Sequence, residues 1–505
     1  MNVWVDVTAV QTRSRPPRAP WQERRSSAYL ALIALAVGLM LRGPLGPTVL
    51  HDSLSVYWVW ADQFTVELGR GNLYPRWLAA SDAGLGTPVF YYYPPLAFHL
   101  TAMFGLIGLS TYASLVAAFG SGFALSGIAC WHWLRGRTNN PLIASMFFMA
   151  APYHLLNYTD RGALAESVAT ALIPVLAIGL RRIAERRGGL LITAAAYAAM
   201  IGTHLPLALL VSIFLVAPYA IAHRLHFRTF SIALAGGIGL SAIYLLPALA
   251  LDRFHDVAQL YRTPNLRPDY YSIFSGNWAD VSYTVAVIIV AALALAAALL
   301  AVRFGDRWAI LAFVVCVVVA GLVPFLWSMP LLKSVQFPYR ALPIAEFAFA
   351  TAIARIPRGP QTALAAAALP MIASLIVLPG FHSRARDVAR LQAVHPDAYE
   401  YLPVGVLKPG QTAARLSDVL APRVPPPRVP GEIVEPHFYF PAWSCGTEEP
   451  RTQLLMHDSR CKPRIVWTMF EKLGASISFV FAFSLLCAGV RRRFQLRLGK
   501  ELRTA

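Results

Sequence analysis

Long apolar runs limit the fold of this chain more than any other feature of its sequence. Several of them extend over 17 to 24 residues, and a helix needs about 20 apolar residues to cross the hydrocarbon core of a bilayer. The runs lack the alternation with a period of two residues that marks the strands of membrane barrels. A chain of 505 residues that is 57% hydrophobic and only 14% charged also differs from ordinary soluble domains. We therefore predict an all-α polytopic membrane protein.

Twelve apolar runs are candidate membrane spans. They lie at 28–48, 111–134, 141–156, 164–180, 189–203, 206–222, 229–250, 281–302, 308–327, 342–354, 361–379 and 474–490. A further run, 95–109, would reach only about 22 Å as a helix. This is short of the ~30 Å hydrocarbon core, so we expect a half-inserted or interfacial helix there. The run at 342–354 can span only if it is tilted or shielded by neighbouring helices.

Arginine clusters between the runs predict which loops face the cytoplasm, because cytoplasmic loops carry an excess of Lys and Arg. With the N-terminus inside, the basic clusters all fall on one side: Arg13, Arg15, Arg18, Arg24, Arg25, Arg135, Arg137, Arg181, Arg182, Arg186, Arg187, Arg224, Arg228, Arg303, Arg307, Arg355, Arg358, Arg491, Arg492 and Arg493. Both termini are then cytoplasmic. A net charge of +18 would indicate nucleic acid in a soluble protein. Here it sets the orientation, so we expect the lipid bilayer and no nucleic acid as partner.

This orientation divides the chain into four parts. They are a basic cytoplasmic tail (1–27), a transmembrane core (28–379) with a first outer loop at 49–94, an extracytoplasmic domain (380–465), and a last span with a basic tail (466–505). The extracytoplasmic domain is proline-rich and contains strand-like runs such as EIVEPHFYFPAW, so we expect it to be small and β-rich. Cys445 and Cys461 both lie in it, and in an oxidising compartment they would form a disulfide.

Unusual polar residues lie at the ends of the apolar runs, on the predicted outer face. They are His51 and Asp52 after the first run, Asp160, Arg161 and Glu166 in NYTDRGALAES, His204 in THLP, and Arg340 in QFPYR. Ionisable residues at such depths are costly and usually functional. A carboxylate there can act as general base on a hydroxyl, and arginines can bind a phosphate group bidentately. With the aromatic run GTPVFYYYPPL, these residues indicate transfer of a sugar from a lipid-phosphate carrier.

Each of these residues also has a simpler interpretation. Asp52 fits the N-cap of a helix over SLSVYWVW, and His51 either tunes that acid or anchors at the interface. Arg161 and Glu166 can form a structural ion pair at the start of a helix. His204 can be an interfacial histidine beside a proline kink, and Arg340 can extend to the interface. Their shared face, more than any single residue, favours a functional site.

Several motifs resemble the GT-C superfamily of integral-membrane glycosyltransferases. The first outer loop opens with HD and runs through GNLYPRW to GLGTPVFYYYPPLAFHL. More closely, APYHLLNYTDRGALAESVATALIPVL, THLPLAL, SVQFPYRAL and the late FYFPAW and GASIS resemble one bacterial subgroup. Its members are labelled as membrane proteins with a 6-pyruvoyl-tetrahydropterin-synthase-related domain, although nothing in this sequence resembles a pterin site. The resemblance covers residues 28–490.

The resemblance implies a GT-C-like fold of about 12 transmembrane helices in the bacterial inner membrane. It implies inverting transfer of a sugar from a polyprenyl-phosphate carrier to an extracytoplasmic glycan, lipid or protein. Asp52 matches the catalytic base of the superfamily, and Asp160 or Glu166 its second acidic position. Some members bind a divalent metal there through paired acids, but DRG is no such pair, so metal dependence stays open. We expect Arg161, Arg340 and His204 to bind the carrier phosphate.

Two other functions compete with this one. A transporter of lipid-linked glycans would place ionisable residues near the centres of its spans, whereas here they cluster at span ends on one side. A non-catalytic assembly factor could keep the same scaffold without the chemistry. The presence of Asp52 is the one feature of the sequence that opposes it.

Overall fold

The computed structural model describes residues 25–41, 49–50, 52–159, 161–261, 263–357, 359–377, 386–387, 398–406, 431–450 and 452–504. Over these residues the chain is mainly helical, with a small antiparallel sheet near the C-terminus, and this coarse prediction is confirmed. The helices are α1 (Arg25–Leu41), α2 (Asp52–Gly69), α3 (Val89–Tyr92), α4 (Leu96–Leu106), α5 (Thr111–Leu134), α6 (Pro141–Met149), α7 (Pro152–Thr159), α8 (Leu164–Thr170), α9 (Leu172–Ala184), α10 (Leu190–Thr203), α11 (Leu205–Val211), α12 (Ala217–Ala222), α13 (Phe227–Leu240), α14 (Ala242–Ala250), α15 (Val281–Phe304), α16 (Arg307–Val319), α17 (Pro324–Ser328), α18 (Pro330–Lys333), α19 (Leu342–Arg355), α20 (Pro360–Val377) and α21 (Met469–Thr504). The strands are β1 (Val49–Leu50), β2 (Arg386–Asp387), β3 (Glu432–Phe438), β4 (Thr447–Glu448) and β5 (Leu454–Asp458).

Five helical segments among the described residues are long and apolar enough to cross a membrane. They are Thr111–Leu134, Leu164–Ala184, Leu205–Ala222, Val281–Phe304 and Met469–Ala488. The pair α13 and α14, bent by 68°, makes a sixth if it counts as one broken span. Further apolar helices are shorter: Ser27–Met40, Leu96–Leu106, Leu190–Thr203, Arg307–Val319 and Pro360–Ile372. The prediction of about twelve spans is therefore not confirmed.

Proline and glycine explain why several apolar runs do not form one long helix. In the run 141–156, α6 ends at Met149 and α7 starts at Pro152, which has no N–H to continue the preceding helix. In the run 308–327, α16 ends before Gly321, whose φ of 80° leaves the helical region. A helix of 14 residues, α19, is buried from Leu342 to Ala354, and its role as a span stays a prediction.

Helix α4 is shorter than the apolar run that predicted it. It has 11 residues, about 16 Å of helix, and packs against both α2 and α5. It is too short to cross a bilayer as a single helix, and its half-inserted or interfacial position stays a prediction.

The strands β3, β5 and β4, in that order, form the C-terminal sheet. All pairs are antiparallel, and Ile433 lies opposite His457. One face of the sheet packs on the 49–94 loop, where Phe440 contacts the rings of Trp77 and Tyr91. Beside the sheet, Cys445 and Cys461 are joined by a disulfide. The described residues of the predicted 380–465 domain are thus anchored on the loop that leads into α4.

Candidate functional site

Arg161 and Glu166 form a buried ion pair between α7 and the first turn of α8. The guanidinium Nη1 of Arg161 lies 2.9 Å from Glu166 Oε2. The same nitrogen donates to Tyr153 Oη at 2.6 Å and to Asn157 Oδ1 at 2.7 Å. Tyr153 in turn donates to Glu166 Oε1 at 2.7 Å. The tyrosine hydroxyl therefore bridges the two charged groups and completes a closed hydrogen-bonded ring.

Arg340 brings a second guanidinium to the same carboxylate. It lies on a 3-10 turn, Pro338–Ala341, just before α19, and its Nε is 3.6 Å from Glu166 Oε2. That separation exceeds a hydrogen bond, and Arg340 is held instead by donation from Nη1 to the carbonyl of Val335 at 2.6 Å. Among the side chains that the structure describes, two cations thus face one anion, and the carboxylate is closer to Arg161 than to Arg340. We call Arg161, Glu166 and Arg340 the cationic cluster.

Aromatic rings line the cationic cluster. The guanidinium carbon of Arg161 is 5.1 Å from the centre of the Tyr339 ring, and that of Arg340 is 4.6 Å from the centre of Phe337. Cation–π contacts of this kind stabilise a guanidinium without neutralising its charge. The cluster therefore combines excess positive charge with an apolar wall.

His204 lies at the break between α10 and α11 and is buried, with 5% of its surface exposed. Its Nδ1 accepts the N–H of Leu207 at 3.2 Å and so caps α11. In the neutral ring the proton is then on Nε2, which makes that nitrogen a donor. His204 interacts electrostatically with Glu166, Arg340 and Arg161, so it belongs to the surroundings of the cationic cluster.

The start of α2 lies beside the cationic cluster. The helix begins at Asp52, and the N–H of Ser53 donates to the carbonyl of Arg161 at 3.1 Å. This contact brings the predicted base position next to the loop that carries Arg161. His51 and Asp160 lie outside the described residues, as does the side chain of Asp52, so their predicted roles stay predictions.

Sequence reasoning missed the tyrosines of this site. Tyr153, Asn157 and Arg161 follow each other at intervals of four residues, the spacing of one helical face, and this signal could have found Tyr153. Tyr57 and Tyr93 have their hydroxyls 2.7 Å apart. Both interact electrostatically with Arg340, so this pair comes to the cluster from the 49–94 loop. No local pattern in the sequence predicts that pairing.

The sequence reasoning also missed a second buried acid near the site. Glu346 in α19 is fully buried, and its Oε1 accepts the N–H of Tyr153 at 2.6 Å. Since Tyr153 is in the first turn of α7, this carboxyl caps a helix from outside. Within the described ranges, no group of three or more His, Cys, Asp or Glu residues is arranged to hold a metal ion.

A second buried ion pair joins Arg76 of the 49–94 loop to Glu471 of α21. Arg76 Nε is 2.9 Å from Glu471 Oε1, and Arg76 Nη2 donates to the carbonyl of Ile243 at 2.8 Å. Glu471 Oε2 accepts the N–H of Thr468 at 2.7 Å, while the N–H of Glu471 faces Thr468 Oγ1 at 3.3 Å. This reciprocal pattern is a capping box. One cation here meets one anion, and the anion also starts a helix.

A stack of rings lies between the two ion pairs. His255 stacks on Tyr92 with ring centres 3.9 Å apart, and both rings lie near Tyr401. Burial lowers the pKa of His255 below its ordinary value, although Asp252 partly offsets the effect. The imidazole is therefore neutral near pH 7.

Comparison with known proteins gives a partial structural likeness. No family model matches the sequence, and no curated protein does. The fold is similar to the cryo-EM structure of the arabinofuranosyltransferase AftD from mycobacteria, with a TM-score of 0.44 and 16% identity over 72% of this chain and 27% of that one. A mutant of AftD gives a TM-score of 0.44 and 15% identity over 73% and 28%. This chain thus spans about a quarter of AftD, and the functional argument below rests on its own residues.

Proposed function

We propose that this chain is a GT-C-type inverting glycosyltransferase that takes its sugar from a polyprenyl-phosphate carrier. The observation that supports this most directly is the cationic cluster. A half-buried guanidinium such as that of Arg340, whose nearest described carboxylate is 3.6 Å away, is costly, and its cost is offset when an anion binds. Two oxygens of a tetrahedral phosphate group can accept two parallel hydrogen bonds from the planar guanidinium of Arg340. The motifs that resemble the GT-C superfamily support the same class.

An apolar crevice of about 10 Å³ lies beside the cluster, which is room for about one water molecule. It is lined by Tyr271, Val287, Val290, Val319 and Tyr339, from α15, the end of α16 and their adjoining turns. Tyr339 is also the ring that lies against Arg161. The crevice is too small to hold an isoprenoid chain, and the preference for a lipid carrier rests on the motifs that resemble the GT-C superfamily.

In the proposed reaction the acceptor hydroxyl loses its proton to the carboxylate of Asp52. The hydroxyl oxygen then forms a bond to the anomeric carbon from the side opposite the carrier, which inverts that centre. The bond between the anomeric carbon and the carrier oxygen breaks, and the phosphate leaves with the electron pair. Arg161 and Arg340 stabilise the charge that develops on it, and His204 can donate from Nε2.

We also propose the bacterial inner membrane as the location, with both termini cytoplasmic and the site on the outer face. The acceptor would be an extracytoplasmic glycan, lipid or protein. Cysteine-labelling of the 49–94 loop from outside intact cells checks this orientation, and labelling only after lysis would overturn it.

The test of the reaction is a reconstituted transfer assay with a panel of polyprenyl-phosphate sugars. The native chain is compared with Asp52→Asn, and Asp62→Asn serves as matched control because it makes the same change ten residues further along α2. We expect transfer by the native chain and the control, and a loss of about 1,000-fold or more in Asp52→Asn. Equal turnover in Asp52→Asn would remove Asp52 as the base. No transfer by the native chain over the whole panel would favour the assembly factor.

A further inference from the structure

A pocket of about 400 Å³ opens on the C-terminal sheet, on the face that does not pack against the 49–94 loop. This volume is in the ~300–1,000 Å³ range of small-molecule sites. Its walls come from β3, β5, the turn after β3 and the loop that the disulfide closes. They include Ile433, Glu435, His437, Trp443, His457 and Lys462.

The period of the strand explains how the pocket forms. Val434 and Phe438 face the core that packs on Trp77 and Tyr91. Because neighbouring side chains on a strand point to opposite faces, Ile433, Glu435 and His437 face the pocket instead. One face of the sheet thus packs against the 49–94 loop, and the other face lines the pocket.

The polar groups in the pocket include both donors and acceptors. Glu435 Oε1 lies 3.1 Å from His457 Nε2, and His457 Nδ1 lies 2.8 Å from the carbonyl of Asp458. Lys462 is exposed at the rim. His437 Nδ1 is buried yet has no hydrogen-bond partner among the described residues, and buried polar atoms normally have one.

The apolar part of the pocket is a flat surface. The rings of His437 and Trp443 stack with centres 5.8 Å apart and an angle of 22° between their planes. An anion would be repelled by the Glu435 carboxylate, and no metal-binding group occurs within the described part of the chain. A sugar ring fits better, because it has one apolar face and a rim of hydroxyls that both donate and accept.

We propose that this pocket binds a saccharide, specifically a sugar unit of the acceptor glycan. The acceptor part of this proposal rests on the proposed function, whereas saccharide binding does not. Trp443 also contacts Trp77 with ring centres 5.5 Å apart, so the pocket is fixed to the loop that carries Tyr93 to the cationic cluster. A glycan held here would remain tethered to the transferase while its end reaches the site.

The test measures binding by the full chain in lipid nanodiscs and needs no turnover. The probes are soluble hexasaccharides of glucose, mannose and galactose, with sorbitol as the non-cyclic control, followed by saturation-transfer NMR and tryptophan fluorescence. We expect at least one hexasaccharide to bind, and His437→Ala and Glu435→Gln to weaken it at least about tenfold. Glu448→Gln is the matched control, since Glu448 is exposed on β4 outside the pocket lining, and it should bind like the native chain.

Three outcomes would overturn the proposal. One is no binding of any hexasaccharide up to about 10 mM. Another is equal affinity in the native chain and both pocket variants. The last is that the pocket variants lose affinity for a short-chain prenyl-phosphate sugar and keep their affinity for every soluble glycan. That result would assign the pocket to the donor. Since none of these readouts uses transfer, a failure here is distinguishable from a failure of the proposed reaction.

Discussion

The two buried Arg–Glu pairs of this protein have the same chemistry and different surroundings. Arg76 and Glu471 are 2.9 Å apart, and Glu471 also caps α21, so the charges balance one to one. Glu166 faces both Arg161 and Arg340, at 2.9 Å and 3.6 Å, so cations outnumber carboxylates among the side chains that the structure describes there. A balanced ion pair stabilises the contact between two segments, whereas an ion pair with an additional cation can bind an anion. The comparison therefore separates a structural pair from a candidate binding site.

Three consecutive tyrosines connect the two regions. The hydroxyl of Tyr91 donates to Glu471 Oε2 at 3.3 Å, that of Tyr92 donates to the carbonyl of Leu251 at 2.6 Å, and that of Tyr93 contacts Tyr57 near Arg340. The YYY sequence thus runs from the balanced pair to the cationic cluster. Its hydroxyls make contacts within the protein, unlike those of an aromatic belt at a membrane interface.

Breaking the balanced pair should give the largest effect on stability. Glu471→Ala leaves Arg76 buried without its partner and removes the cap of α21, so we expect a loss of about 3–5 kcal/mol in the free energy of unfolding. Thermal unfolding of the full chain in detergent measures it. Glu448→Ala, at an exposed position on the C-terminal sheet, is the control and should stay within about 0.5 kcal/mol.

The double variant Arg76→Met with Glu471→Met sharpens this prediction. Two apolar side chains of similar size replace the pair without leaving a lone charge, so most of the lost stability should return, except about 1 kcal/mol for the cap. A double variant as unstable as Glu471→Ala would contradict the idea that the unpaired charge causes the loss.

Removing the bridging hydroxyl from the cationic cluster should have a smaller effect. Tyr153→Phe deletes the group that accepts from Arg161 and donates to Glu166, and hydrogen bonds to charged groups contribute about 1.5–3 kcal/mol. We expect a loss of stability in that range by the same unfolding assay. Tyr112→Phe on α5 is the control, and an equal change in both variants would show that the bridge contributes nothing.

The smallest predicted effect is a dependence of stability on pH through His255. Its pKa is lowered in the folded chain by burial, so unfolding takes up a proton once the pH falls below the ordinary histidine value of about 6.5. The stability that neutral His255 contributes is fully present above that pH, and it is lost as the pH falls towards the pKa of His255 in the folded chain. His255→Phe keeps the stack with Tyr92 and should make the unfolding temperature less sensitive between pH 7 and 5. An unchanged slope would contradict this.

Parts of this architecture follow from local sequence, and others do not. The capping box of α21 can be predicted from Thr468 and from Glu471 three residues later. The four-residue spacing of Tyr153, Asn157 and Arg161 is the spacing of one helical face. The sequence also led us to expect Arg161, Glu166, His204 and Arg340 together, because each lies at the end of an apolar run on the same side. Their catalytic and binding roles remain proposals.

Tertiary contacts account for what the sequence does not reveal. The partner of Arg76 is almost 400 residues away, and Tyr57 meets Tyr93 only because α2 and α3 pack side by side; no periodicity encodes either contact. The number of spans is unconfirmed for a different reason. An apolar run shows hydrophobicity and not helix length, and breaks at Pro152, Ser241 and Gly321 divide three of the runs into shorter helices.

The central claim is that the cationic cluster binds a phosphate because its two arginines share a single carboxylate among the described side chains. Titrating farnesyl phosphate into the full chain in nanodiscs tests it directly, with farnesol and inorganic phosphate as the two half-ligands. The double Arg76→Met, Glu471→Met variant is the control. We predict that the native chain and the control bind farnesyl phosphate with equal affinity. In Arg340→Met, which keeps the pair of Arg161 and Glu166, the affinity should fall about 10- to 100-fold. Equal affinity in Arg340→Met and the native chain would contradict the claim.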